Sequence, residues 1–259
     1  MIPCYNEAKR LDLAAFERAL AAQPKLAFIF VNDGSTDNTL AVLRGFQNQH
    51  PTRVSVLSLD KNSGKGEAVR CGMLQGMAQR ASYVGYWDAD LATGLEYIAE
   101  FANVLEHSDS VVVFGSRVRL AGYNIERHGL RHYVGRLFAT FAAATLRYPI
   151  YDTQCGAKLF RNLAAVRAVF ETPFLTRWCF DVEIFARLLA RERQVGDITF
   201  DVAGAEFPLR RWVDVGGSKL SLRHGPQIGL EMLKIAKTLR ATPQRKQPPA
   251  RDLSPPGSR

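Results

Sequence analysis

Two carboxylates one residue apart, Asp88 and Asp90, close an apolar, β-rich run that begins at Tyr83. A buried parallel strand reads this way, and in open α/β sheets ligands collect at the carboxyl ends of the strands. The two acids repel each other unless a cation sits between them. A hard divalent ion, Mg²⁺ or Mn²⁺, answers that need, because it takes one or two carboxylates and leaves its other positions to phosphate oxygens and waters. A strand followed by an ordinary acidic turn is the alternative reading, so the neighbouring loops have to decide. In Pro3 to Glu7, Tyr5 offers a flat ring for stacking a base, and Glu7 can accept from a hydroxyl. In Val31 to Ser35, Asp33 is suited to accept from a base N–H or a ribose. In Asn62 to Gly66, two glycines remove side-chain bulk and let Lys65 approach a base or phosphates closely. Turn-forming residues explain any one of these loops alone. Their order along one chain points to a phosphate-bearing nucleotide.

Positioning these groups requires strands that all end along one edge. Apolar runs at 26–31, 54–59, 83–87 and 110–116 alternate with helical spacing at 8–23, 39–46, 67–80 and 95–107, with Asp37 or Thr36 as N-cap of the second helix. Strand, helix, strand, helix at this spacing predicts a parallel sheet with right-handed crossovers. The second half is less regular. A basic stretch at 117–136 precedes an alanine-rich helix at 137–146, then loop and strand at 151–160 and helices at 163–170 and 180–192. Strands are expected at 197–202 and 207–213, a turn at 216–219 and a last helix at 223–239. The tail 241–259, with five prolines and no periodicity, is expected to be disordered. One domain over 1–240 is expected, with a nucleotide-binding half of about 1–116.

With 47% hydrophobic and 23% charged residues in 259, composition is that of a globular protein. No apolar run reaches the ~18 residues of a membrane-spanning helix, and the start lacks the basic and apolar regions of a secretion signal. Cys4, Cys71, Cys155 and Cys179 are scattered without Cys-x-x-Cys spacing, as free thiols of a reducing cytoplasm would be. The net charge of +9 suits nucleotide diphosphates, acidic lipid headgroups or nucleic acid without choosing among them, and equally a merely soluble basic surface.

Taken together, Pro3-x-Tyr5-Asn6-Glu7, the Val31 to Asp37 run, Asn62-x-Gly64-Lys65-Gly66, Asp88-Ala89-Asp90 and Gly115-Ser116-Arg117 resemble family 2 glycosyltransferases of the GT-A fold. Downstream, Asp152 to Gly156 with Lys158 to Phe160, Phe180-Asp181-Val182-Glu183 and Gly217-Ser218-Lys219 resemble the dolichyl-phosphate (polyprenyl-phosphate) hexosyltransferases, the β-glucosyltransferase branch first and the mannose synthases next. The likeness spans roughly 1–235. It implies an α/β architecture with a Rossmann-like, mostly parallel central sheet, helices on both faces and a basic acceptor half of about 117–240. It implies nucleotide-sugar contacts from Pro3, Tyr5, Glu7, Val31, Asp33, Lys65, Asp88, Ala89 and Asp90, with Lys219 near the donor diphosphate and Mg²⁺ or Mn²⁺ on Asp88 and Asp90. The partners implied are a nucleotide diphosphate sugar (UDP-glucose ahead of GDP-mannose) and a polyprenyl or dolichyl phosphate, with no nucleic acid. Asp152 and Gln154 would flank the sugar and acceptor, although a turn-capping Asp152 is equally open; Lys158 and Arg211 are further candidates. Glu183 is expected to orient a nearby Arg or Lys.

Three departures stand out. Only Met1 and Ile2 precede Pro3 where a full apolar strand is usual, so a shortened start and a weaker central sheet are expected. Mannose synthases often place a Gln ligand two residues after the second Asp, where this chain has Ala92. The N-terminal membrane helix of the eukaryotic glucosyl enzymes is not expected here.

A lipid phosphate acceptor makes chemical sense of the charge. A phosphate monoester is mostly ionised at neutral pH, its second pKa being about 6, so it can attack an anomeric carbon without a dedicated base. The work left is electrostatic: hold two anions in line and neutralise the leaving diphosphate. Arg117, Arg119, Arg127, Arg131 and Arg136 supply cations for the acceptor, Arg117 and Arg131 foremost, though each also reads as solvated surface. Attack opposite the leaving group inverts the anomeric centre. An interfacial helix around 131–147 and the terminal helix suggest peripheral contact with an anionic membrane, in the cytoplasm at the inner membrane's cytoplasmic face. The rivals are transfer to a soluble or glycan acceptor, which would need a base, and a non-catalytic nucleotide-sugar or nucleic-acid binding protein.

Overall fold

In the computed structural model, which describes residues 1–118, 120–126, 129–198, 206–213 and 225–240, strands and helices alternate as the apolar spacing predicts. The first half runs β1 (Ile2–Cys4), α1 (Leu13–Ala22), β2 (Phe28–Asp33), α2 (Thr39–Gln49), β3 (Val54–Leu59), α3 (Lys65–Met77), β4 (Tyr83–Trp87), α4 (Tyr97–Glu106) and β5 (Val112–Ser116). The second half adds β6 (Asn124–Glu126), α5 (Gly129–Leu146), β7 (Ala157–Arg161), α6 (Ala164–Glu171), α7 (Phe180–Gln194), β8 (Glu206–Pro208), β9 (Arg211–Val213) and α8 (Gly225–Arg240).

β1, β2 and β3 pair in parallel in that order, while β4, β7, β5 and β8 form a second group. Within it β7 lies antiparallel between β4 and β5, and β8 is parallel to β5. Met1 joins the two groups: its N donates to Gly85 O (2.5 Å), and its O accepts from Trp87 N (3.1 Å). The short lead therefore makes the β1–β4 seam with one residue's backbone.

Period-two alternation splits the core into two layers. Phe28 and Phe30 of β2, Trp87 of β4 and Ala157 and Leu159 of β7 face α1, α2 and α4, where Phe16, Leu43 and Phe101 are fully buried. Val31, Tyr86, Phe114 and Phe160 face the other way, onto α3 and α5 to α8. Helices thus cover both faces, and the loops after β1 to β4 open on one edge.

Several boundaries differ from expectation. α5 begins at Gly129 because Leu130, Val134, Leu137 and Phe141 keep helical spacing through residues that read as basic loop. The run 207–213 breaks at Leu209 and Arg210 into two strands of different sheets. Of the strand expected at 197–202 only Asp197 and Ile198 are among the described residues, where they form no strand; the turn at 216–219 and the tail lie outside them. α2 starts at Thr39 with Asn38 in the cap position, although Asp37 Oδ1 does accept from Thr39 N (2.9 Å).

Candidate active site

The loops after β1, β2 and β3 are tied in turn by hydrogen bonds between side chain and backbone, and the last is tied to the loop after β4 by an ion pair. After β1, Asn6 takes a left-handed φ of 55°, and its Oδ1 accepts from Thr36 N (2.9 Å). Glu7 N and Ala8 N donate to Thr39 Oγ1 (2.8 and 3.0 Å). Tyr5 is half-buried here. Glu7 receives Arg10 on Oε1 (2.7 Å), while its Oε2 is buried with no hydrogen-bond partner. Pro3 is half-buried in β1, whereas the side chains of Val31 and Ala89 lie in the core. These two can offer a ligand only backbone.

Asp33 is buried, and its carboxylate is engaged by the glycine turn: Oδ1 accepts from Ser63 N (2.7 Å) and Oδ2 from Gly64 N (2.9 Å). It therefore fixes the start of α3, a use the sequence reading did not foresee. Gly64 at φ 94° makes the turn that only glycine adopts without strain. Lys65 follows at once and sets its Nζ 2.5 Å from Asp88 Oδ1. Burial works against the Lys65 charge, but Asp88, Asp181 and Asp90 hold its pKa above the ordinary lysine value. Across the turn lies the exposed guanidinium of Arg177.

Asp88 and Asp90 sit where the strand ends. Asp88 N donates to Gly156 O (2.9 Å), docking the loop before β7 against the acidic pair. Gly156 leaves room for that acid, since a Cβ would fall where the Asp88 carboxylate lies. Asp90 Oδ1 accepts from Ala92 N (3.1 Å), with Leu91 between them in the left-handed region at φ 51°. Burial, then the neighbouring Asp88 charge, push the Asp90 pKa upward. Among the described residues no cluster of three or more Cys, His, Asp or Glu could hold a metal by itself.

The remaining candidates divide. Arg117 clasps Asp152 in a fork, Nε to Oδ2 at 2.6 Å and Nη2 to Oδ1 at 2.8 Å, and lies over the Trp212 ring at 5.1 Å. Burial opposes its charge, and Asp152 more than restores it. Asp152 thus serves Arg117 and Gln154 N (3.2 Å), which explains its place better than free contact with a sugar. Gln154 Nε2 is buried and has no hydrogen-bond partner. Lys158 is fully buried, donating to Cys155 O (2.7 Å) and Asp181 Oδ1 (2.6 Å), with Tyr86 also on Asp181. That ammonium braces the core and is shielded from solvent. Arg211 is exposed on β9, at a distance in sequence from every loop of the edge. Glu183 pairs with Arg187 at 2.7 Å, as expected of an orienting group. Arg131 falls on α5 in a stretch whose side chains are outside the described residues; Arg119, Arg127 and Lys219 are outside them altogether, and Arg136 shares the position of Arg131.

Glu206 went unnoticed in the sequence because a lone acid in a short strand carries no signal. It accepts from Ser116 Oγ (2.8 Å), Tyr151 N (2.9 Å) and Asp152 N (2.8 Å), supporting the Arg117–Asp152 pair from beneath. In the sequence Asp181 reads only as part of the Phe180 to Glu183 motif. Its role appears once β4, β7 and α7 meet.

Comparison with known proteins agrees with this geometry. The sequence profile of Glycosyl transferase family 2 matches residues 1–166. A dolichyl-phosphate beta-glucosyltransferase of Trichomonas vaginalis is 32% identical over 254 residues, covering 93% of this chain and 71% of that protein. A human protein of the same name is 32% identical over 235 residues, covering 85% and 68%. Among solved structures, glucosyl-3-phosphoglycerate synthase from Mycobacterium tuberculosis, in complex with Mn²⁺, uridine-diphosphate and phosphoglyceric acid, aligns with a TM-score of 0.61. That match has 15% identity and covers 94% of this chain and 78% of the other, a likeness of fold. The acidic pair, the glycine turn and the doubly covered sheet belong to a GT-A glycosyltransferase, and the chain is a member of glycosyl transferase family 2.

Proposed function

We propose that the protein moves a hexose from a nucleotide diphosphate sugar, UDP-glucose before GDP-mannose, to a polyprenyl or dolichyl phosphate with inversion. The observation that carries this is the Asp88–Lys65 contact at the mouth of the glycine turn, with Asp90 held beside it. It sets one cation and two carboxylates where a diphosphate and a metal would meet. Two relatives at 32% identity bear the name dolichyl-phosphate beta-glucosyltransferase, which favours that acceptor.

The residues suit a hard divalent cation. All donors are oxygens, and two carboxylates are offered side by side at the end of the strand. Asp88 and Asp90 would hold Mg²⁺ or Mn²⁺, which when bound offsets charge on the departing diphosphate. Tyr5 stacks the base, and Glu7 Oε2, an unsatisfied acceptor, takes a nucleoside hydroxyl. Gln154 Nε2 donates to the sugar. The acceptor phosphate oxygen attacks the anomeric carbon, a new C–O bond forms, and the bond to the nucleoside diphosphate breaks on the opposite face. Arg117, immobilised by Asp152, and Arg131 hold that phosphate. No base is required because the nucleophile arrives ionised.

The same reading places the protein peripherally at the cytoplasmic face of the inner membrane. Among the described residues no helix is long and apolar enough to cross a membrane. Between α5 and α8 runs a groove whose rim exposes Phe141 and Leu233 beside Arg147 and Arg193. Such a mixture favours a headgroup layer.

The test is transfer of label. Incubation with radiolabelled UDP-glucose or GDP-mannose, polyprenyl phosphate and Mg²⁺ or Mn²⁺ should bring label into the organic phase. Label remaining aqueous with both donors would reject the acceptor. Asp90→Asn should abolish transfer while thermal unfolding shows the fold kept; undiminished turnover would remove the metal role.

A further inference from the structure

We infer that Arg177 is a substrate-phosphate-binding residue of this site, an inference that rests on the reading above. Arg177 lies in the segment between α6 and α7, far in sequence from the glycine turn, yet its guanidinium covers that turn. A Cβ placed at Gly64 would be 3.5 Å from Arg177 Nε and 3.9 Å from Cζ. The side chain is exposed and has no carboxylate or hydrogen-bond partner among the described residues.

The backbone around it, by contrast, is held with unusual firmness. On one side Glu183, buried on α7, accepts from Leu175 N (3.0 Å), Thr176 N (3.0 Å) and Thr176 Oγ1 (2.8 Å). On the other side Glu231, buried on α8, accepts from Trp178 N (2.9 Å) and Cys179 N (3.0 Å). Two buried carboxylates from two helices thus satisfy the four backbone N–H groups that flank position 177. Burying carboxylates is costly unless donors surround them. Here the donors come from one short segment whose central side chain points out over the turn.

The neighbours explain what the arginine meets. Lys65 is already matched by Asp88, and its ammonium sits 5.9 Å from the Phe180 ring, three residues after Arg177. A phosphate entering at Gly64 to Gly66 finds one cation spoken for and Arg177 uncommitted. A guanidinium binds phosphate oxygens with two parallel N–H donors. Gly64 keeps the turn at φ 94° free of strain, and a Cβ there would lie in ordinary contact with Arg177, so the guanidinium rests directly on the turn. The phosphate is either the donor's diphosphate or the acceptor's monoester, and binding separates the two.

Calorimetry on the full chain with two probes, UDP in excess Mg²⁺ and a short water-soluble prenyl phosphate, is the experiment. Arg177→Ala should weaken one probe by about tenfold to a hundredfold, the scale of a charge-assisted hydrogen-bond pair. Arg177→Lys should recover part of the loss, and thermal unfolding should match wild type because the side chain is exposed. Loss confined to UDP assigns the donor phosphate, and loss confined to the prenyl phosphate assigns the acceptor. Affinities within about twofold of wild type for both probes, or a wild-type protein that binds neither, overturn the inference. Binding without labelled lipid product would instead fault the transfer reading and leave Arg177's role standing.

Discussion

Gly156 shows how narrowly the acidic pair is fitted. Its backbone carbonyl receives Asp88 N, and its missing side chain is the space that the Asp88 carboxylate occupies. A methyl group there has to move the acid or the loop. Displacement by about 1 Å costs on the order of 100-fold in rate, so Gly156→Ala is expected to lower kcat/KM by about that factor while circular dichroism stays unchanged. Steady-state kinetics of the purified variant check it. Glu206 gives a pH signature. Burial, with a smaller contribution from Asp152, lifts its pKa above the ordinary 4.5, against the pull of three hydrogen bonds. The folded protein then holds a proton that the unfolded chain has released. Stability attached to this group is present below the ordinary value and is lost as pH rises through the raised one. Melting curves from pH 4 upward should therefore show Glu206→Gln gaining on wild type as pH climbs. A constant gap would contradict the shift.

At the scale of elements, the site is a row of loops laced together by backbone donors. Asp33 ends β2 and holds the turn that starts α3. Asp33→Ala leaves two N–H groups without their acceptor, one of them fully buried, and should lower unfolding free energy by about 2–3 kcal/mol. Urea denaturation reads this directly, and loss of UDP affinity should accompany it as Lys65 loosens. The alternation of strand and helix was legible because apolar runs of strand length ended in polar turns. The gathering of Asp88 and Asp90 beside the glycine turn was legible for the same reason: residue types and order specify where such groups gather. Partner choice was not. Nothing in the sequence says that Arg117 will spend its fork on Asp152, or that Lys158 will turn inward to Asp181, because both pairings cross more than twenty residues and depend on the direction of β7. β6 was missed, and the split of 207–213 into two strands with it, since three residues leave no periodicity to read.

For the whole molecule, the distribution of charge and apolar surface predicts attraction to an anionic membrane. Leu230 and Leu233 stand out from α8 and Phe141 from α5, with Lys234 and Lys237 alongside. Co-sedimentation with anionic vesicles should be strong at low salt and fall as the Debye length shrinks toward about 4 Å near 0.5 M salt. Phe141→Ser with Leu233→Ser should weaken it by about tenfold or more, given that full burial of each side chain is worth about 1.5–3 kcal/mol. Binding insensitive to both changes would argue against a membrane contact through this face.

The antiparallel seating of β7 has one more consequence, for misfolded alternatives. Tyr86 stands opposite Lys158 and Trp87 opposite Ala157. A slip of one residue between β4 and β7 would turn every β7 side chain to the opposite layer. Lys158 would then leave Asp181 and thrust its ammonium among Phe101 and Leu105, an apolar layer without an acid to receive it. The same slip would carry Gly156 away from Asp88 and bring a side chain in its place. One buried lysine thereby makes the neighbouring registers uninhabitable, and the geometry of the acidic pair is protected by the instability of every near miss.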